Sequence, residues 1–260
     1  MSAGVRLRIL RWPAAKGRIT LLLSQSAIGP ALLVAALAYA LLLGLAPGIF
    51  IPPLCAPDIM ALEYALNGTM LAQVFLFNPP EQIIAGWILM LVAMMAPLLI
   101  WPLAYVWKSS LPARRIRAAA LFVIGYAGCW TVVGLIPITV LAVALNFFIA
   151  DPILLALSGV MLAMLWRASP WQQAALNRAH VLHRIGLFGY RADHDALRFG
   201  LVHGWWCLAS CWPLMLVPML VGRYHMLAMV AAGLIALADR LRGPRKPAWR
   251  WPVKLDPVLV

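Results

Sequence analysis

The sequence predicts an all-α membrane protein, a bundle of about six transmembrane helices with both termini cytoplasmic. Three observations lead there. First, 64% of the residues are hydrophobic and only 11% are charged, with a mean hydropathy of +0.90, whereas the apolar share of a soluble domain is near half. Second, the apolar residues gather into segments approaching the ~20 residues that a helix needs to cross a bilayer. Third, all but one of the 21 Lys and Arg residues fall in four clusters separated by pairs of those segments, so six crossings put every cluster on one side.

The first segment, Ile19 to Ala46, follows a basic arm over residues 1–18. That arm, the apolar run and Ala38-Tyr39-Ala40 imitate a secretory signal, but the run is too long to be one and reads as an uncleaved helix. An outer loop over residues 47–82 is rich in proline and holds Cys55, Asp58 and Glu63. Its centre, Asp58 to Phe77, has an N-cap residue and the spacing of an amphipathic helix, with Leu62, Ala65, Leu66 and Met70 on one face.

The remaining segments are Ile83 to Trp107, Ala118 to Leu141, Pro152 to Trp166, Phe199 to Val221 and Met226 to Ala238. Lys108 to Arg117 separates the second from the third. A basic loop over residues 167–198 separates the fourth from the fifth, and a basic tail occupies residues 239–260. The four clusters are therefore expected at the cytoplasmic face, where positive charge orients the chain and attracts anionic lipid, with Arg223 alone outside. Residues 1–260 read as a single integral membrane domain of the bacterial inner membrane. The net charge of +13 is thus absorbed by topology, and no nucleic-acid partner is expected.

No phosphate-binding glycine loop, nucleophile elbow or intramembrane carboxylate pair is present, so no enzyme is expected. His180, His183 and His194 in the basic loop have only Asp193 and Asp195 as nearby acids, and read as part of a solvated loop.

The fifth segment is more informative. In HGWWCLASCWPLM, His203, Cys207, Cys211 and Met215 recur every four residues and so lie along one helix face, although the ladder drifts by ~40° per step and all four cannot meet at one point. Thiolate, thioether and imidazole suit a soft ion, Cu(I) ahead of Zn(II). Pro213, lacking an N–H, should leave the carbonyl of Ala209 without its usual helical partner. An intrahelical disulfide between Cys207 and Cys211 is disfavoured by geometry, so reduced thiols are expected. The second segment adds Met94 and Met95 beside Pro97, which would complete the ligand set if the two helices are neighbours. Packing is the alternative, since cysteine and methionine also serve as core filler, and small residues such as Gly204, Ala209 and Ser210 let membrane helices approach.

Ala93-Met94-Met95-Ala96-Pro97, Gly125-Tyr126 with Trp130, Ser169-Pro170, and His203-Gly204 leading to Cys207, Cys211, Trp212, Leu214 and Met215 together resemble a bacterial family described as predicted metal-binding integral membrane proteins. The resemblance runs from about Trp87 to Met215 and implies metal binding at the cysteines. It also marks departures: the family usually has paired cysteines where this chain has Ser210-Cys211, and further cysteines where it has Ala175 and Ala179.

The leading expectation is a soft-metal protein that binds or handles copper, with Cys207 and Cys211 as primary ligands and His203, Met94, Met95 and Met215 as supplementary ones. Its expected partners are the bilayer, a metal chaperone and other membrane subunits. The alternative is a non-catalytic accessory or assembly subunit of a larger membrane complex. A carrier for a small neutral solute is the third reading, favoured only by the shortage of intramembrane charge.

Overall fold

The computed structural model describes residues 28–45, 80–149, 151–221 and 224–251. The basic arm, the amphipathic segment Asp58 to Phe77, Cys55, Glu63, Arg223 and both termini lie outside the described residues. Every described secondary-structure element is helical.

Helix α1 (Ile28–Leu45) buries Ala35 and Ala38 along α2 (Pro80–Ser109). Proline at the first position of α2 costs nothing there, because that N–H would lack a helical partner anyway. Next comes α3 (Arg115–Cys129), which runs through a π-helical stretch, Trp130–Leu135, into α4 (Ile136–Phe148). Pro137 has no N–H for the carbonyl four residues earlier, and a widened turn just before it is one way a helix absorbs that loss. Asp151 caps α5 (Pro152–Ala168), its carboxylate accepting from the N–H groups of Ile153 and Leu154 at 2.7 and 3.0 Å. Ser169 then caps α6 (Pro170–Ala179), which leaves α5 at a 68° bend. Last come α7 (Gly189–Leu220), the longest described helix, and α8 (His225–Leu241). Gly189 enters α7 with φ of 65°, a value glycine adopts without penalty.

Among the described residues three helical stretches, Ala85–Ser109, Pro112–Ile138 and Gly189–Leu220, are long and apolar enough to cross a membrane, and α5 with α6 counts as a fourth if the bent pair is one span. The basic loop expected over residues 167–198 is mostly helix. It contains α6 and the first ten residues of α7, where Asp193 accepts from Arg114 and Arg117 of the preceding connection and α3, both at 2.7 Å. Hydropathy ends at Arg198, whereas the helix continues because ion pairs replace apolar burial on that face.

The centre of the fold is the packing of α7 on α3. Gly200 and Gly204 stand four apart on α7, with Gly125 facing them from α3. A Cβ at Gly200 would collide with the backbone carbonyl of Phe122, and one at Gly125 with that of Leu197. Small residues at this spacing let two backbones touch, as in membrane helix pairs. Helix α7 also packs on α5, α6 and α8, whereas α2 reaches the same core mainly through α3 and α8.

One end of the bundle collects the described basic residues of the second to fourth clusters. Arg167 makes a bidentate contact with the buried Asp239 at 2.8 and 2.9 Å, joining α5 to α8. The residues after α8 fold back along α6: Asn177 holds the backbone of Arg245, Trp249 meets Trp171 edge to face, and the N–H of Arg250 donates to Ala168.

Candidate metal centre

Cys207 and Cys211 sit on the buried face of α7, 0% and 4% exposed. The Tyr126 hydroxyl of α3 is 3.2 Å from the sulfur of Cys207, and the Cys211 thiol donates to the carbonyl of Cys207 at 3.0 Å. Ser210 donates to the same carbonyl at 2.7 Å and so supports the backbone between the two thiols. The described cysteines, Cys129, Cys207 and Cys211, are free thiols.

Met94, Met95, Cys207, Cys211 and Met215 belong to one contiguous buried core with Tyr126, Trp87 and Trp130. The spacing read from the sequence therefore identifies side chains that turn inward together. The expected neighbourhood of the second and fifth segments takes a different form: their side chains share a core, while α3 and α8 make the closer helix contacts to each. Met94 lies against Gly233 of α8, whose absent side chain leaves room beside the Met94 backbone.

His203 is buried as well, at 5% exposure, against the Tyr126 edge of that core. It is buried among the rings of Phe122, Tyr126 and Phe199, with centroids 6.0, 6.1 and 5.8 Å away. Its place is an aromatic contact between α7 and α3, one turn toward the basic end from Cys207. A cavity of about 220 Å³ begins there, bounded by Trp101, Tyr105, Lys108, His180, His203 and Arg240.

Among the described residues, no three His, Cys, Asp or Glu side chains are grouped to hold a metal ion. A metal at this place would therefore rely on the two thiols, with thioethers as its other donors. Such a set suits an ion that accepts low coordination and soft ligands and suits poorly one that wants four N, O or S donors in a tetrahedron. In the basic region, His180 has its ring nitrogens 2.6 and 3.1 Å from the carbonyl oxygens of Leu176 and Arg240. His183 stacks on Phe199, and Asp195 accepts the N–H of Gly186. Through its two carbonyl contacts His180 ties α6 to the end of α8.

Arg240 was legible in the sequence only as one of a basic cluster. It is 5% exposed and shares the wall of the cavity that reaches His203. Position at the end of an apolar helix was the one available signal, and it does not distinguish an inward arginine from a lipid-facing one. Tyr126 carried no sign in the sequence beyond its place in the Gly-Tyr motif.

Residues 84–253 match the family described as PpoB2, copper chaperone. The chain belongs to the PpoB2 copper chaperone family. The match spans more than half of the chain and includes α2 to α8, with all six candidate ligands. It supports the metal-related part of the motif resemblance, under a different description from predicted metal-binding integral membrane proteins. No curated protein and no solved structure matches the chain.

Proposed function

We propose that this PpoB2-family chain is a multi-pass protein of the bacterial inner membrane that binds Cu(I) through Cys207 and Cys211 and passes it on without catalysing a reaction. One observation carries the reading: two free thiols and three methionine thioethers lie in one buried core, the donor chemistry of a cuprous site, in a chain whose family is described as copper chaperone. Thiols exchange a soft ion by successive ligand replacement, so two cysteines with adjacent thioethers suit holding and release better than permanent structural capture. The cavity that reaches His203 from the basic end is the natural approach to the sulfurs.

Membrane placement has its own support. Large apolar side chains face outward along the helices, among them Ile124, Val132, Ile136, Leu154, Leu157 and Leu234, and an apolar exterior of this extent needs a non-aqueous surrounding. The described basic segments meet at one end of the bundle, which supports assigning that end to the cytoplasm; six crossings with both termini inside complete the proposed topology.

The test is metal content of the full chain purified in mild detergent after loading with Cu(I). Roughly one equivalent is expected, and Cys207→Ser with Cys211→Ser should abolish it while leaving membrane insertion intact, because serine preserves size but is a poor ligand for a soft ion. Equal copper in wild type and double variant would overturn the reading and favour the accessory-subunit alternative.

A further inference from the structure

Arg240 is the cation in this fold whose charge is least accounted for. Its side chain is 5% exposed, none of its three guanidinium nitrogens has an oxygen or nitrogen partner among the described residues, and the side chain within hydrogen-bonding reach of it is that of Cys207. The neighbouring carboxylate, Asp239, is taken by Arg167, Arg242 and Gln172. The other described aspartates are engaged elsewhere: Asp151 caps α5, Asp193 pairs with Arg114 and Arg117, and Asp195 accepts from Gly186. A guanidinium stays charged in proteins, and an uncompensated buried charge is strongly unfavourable. Helix α8 packs on α7 and brings the Arg240 side chain to the cavity wall it shares with His203, one turn from Cys207.

We propose that Arg240 is the built-in counter-charge of the Cys207–Cys211 pair and makes that pair selective for a monovalent soft cation. This rests on the copper-binding reading above and adds the residue that sets which ion is accepted. Cu(I) replaces two thiol protons, which leave to solvent, and the resulting bis-thiolate complex carries one negative charge. Arg240 balances it. A divalent ion such as Zn(II) on the same two thiolates forms a neutral complex and leaves the guanidinium uncompensated in a core that excludes water. The charge balance therefore favours the singly charged ion, in addition to the softness of the donors.

The experiment measures Cu(I) against a chromophoric Cu(I) chelator and Zn(II) against a fluorescent zinc indicator on the purified full chain, for wild type, Arg240→Met, Arg240→Gln and Arg240→Lys. Removing the charge should lower the Cu(I)-over-Zn(II) preference by about tenfold or more, since a unit charge a few ångströms away in a poorly solvated site acts at least that strongly. Arg240→Lys should keep the preference within about threefold. The preference is a ratio, so a partly misfolded sample lowers both terms alike. Unchanged preference in folded Arg240→Met or Arg240→Gln overturns the proposal, as does loss of preference in folded Arg240→Lys. Wild-type protein that takes up no Cu(I), or a double cysteine variant that still does, is a different result and removes the copper-binding reading with it.

Discussion

The indole N–H of Trp166 on α5 donates to the carbonyl oxygen of Ala209 on α7 at 3.1 Å. That carbonyl is the one Pro213 deprives of its helical partner, because a proline four residues on has no N–H to offer. Trp166 also meets Trp212 edge to face, with centroids 5.5 Å apart, so a backbone defect two residues from Cys211 is filled by a side chain from a neighbouring helix.

Replacing Trp166 with Phe keeps most of the ring and removes the donor. The expected loss is about 1–3 kcal/mol, the cost of leaving a buried carbonyl unsatisfied. In a Pro213→Ala background the helix regains its own N–H, and the same replacement should cost measurably less. A double-mutant cycle on thermal unfolding in detergent reads the difference, and equal costs in both backgrounds would contradict the assignment.

Two glycines in comparable helical surroundings should respond with opposite sign. A Cβ at Gly200 meets the Phe122 backbone, which cannot yield as a side-chain tip would, whereas one at Gly86 meets nothing within 4 Å. Gly200→Ala is therefore expected to destabilise by about 1–3 kcal/mol through overpacking. Gly86→Ala should stabilise by up to about 1 kcal/mol through helix propensity alone. Melting temperatures of the two variants, measured side by side, decide it.

The contrast shows what a sequence can and cannot carry here. The inward turn of Cys207, Cys211 and Met215 was legible because helical periodicity reports which residues share a face. That Met94 and Met95 join them was legible only as a condition, since nothing local says which helices adjoin. Gly200 and Gly204 were visible as letters, yet their meaning depends on α3 presenting the Phe122 and Tyr126 backbone at that height. The start of α7 was missed because Arg191, Asp193 and Arg198 look like solvated loop until Arg114 and Arg117 are brought beside Asp193. Arg240 was missed for the converse reason: a basic residue at a helix end normally faces water or headgroups, and only tertiary packing turns it inward.

His183 lies outside the apolar spans, and burial, followed by the positive charge of Arg198, lowers its pKa from the ordinary value. The unfolded chain therefore takes up a proton at this residue at a higher pH than the folded chain does. Stability associated with neutral His183 is fully present above about pH 6.5 and declines as pH falls from there toward the depressed folded value. His183→Gln should flatten that part of the pH profile without changing its neutral limb. Melting curves between neutral and mildly acidic pH test this, and parallel profiles for variant and wild type would rule the residue out as the source.

The last prediction separates apo from copper-loaded protein at Tyr126. Its hydroxyl and the Cys207 sulfur are 3.2 Å apart, and in the free protein either atom can donate. While Cys207 carries its proton this hydrogen bond is weak, and in that state Tyr126→Phe should change apo stability little beyond the loss of one hydroxyl. Under the copper reading, Cys207 becomes a thiolate that can only accept, and Tyr126 becomes a donor to a charged group. Hydrogen bonds of that kind contribute about 1.5–3 kcal/mol, which corresponds to a loss of about tenfold or more in Cu(I) affinity when the hydroxyl is removed. The stabilisation conferred by Cu(I), read as the difference in melting temperature between loaded and metal-free protein, should therefore shrink in Tyr126→Phe while the metal-free melting temperature stays near that of wild type. A variant that loses stability equally in both states would make Tyr126 a packing residue and leave Cys207 without this support in the loaded form.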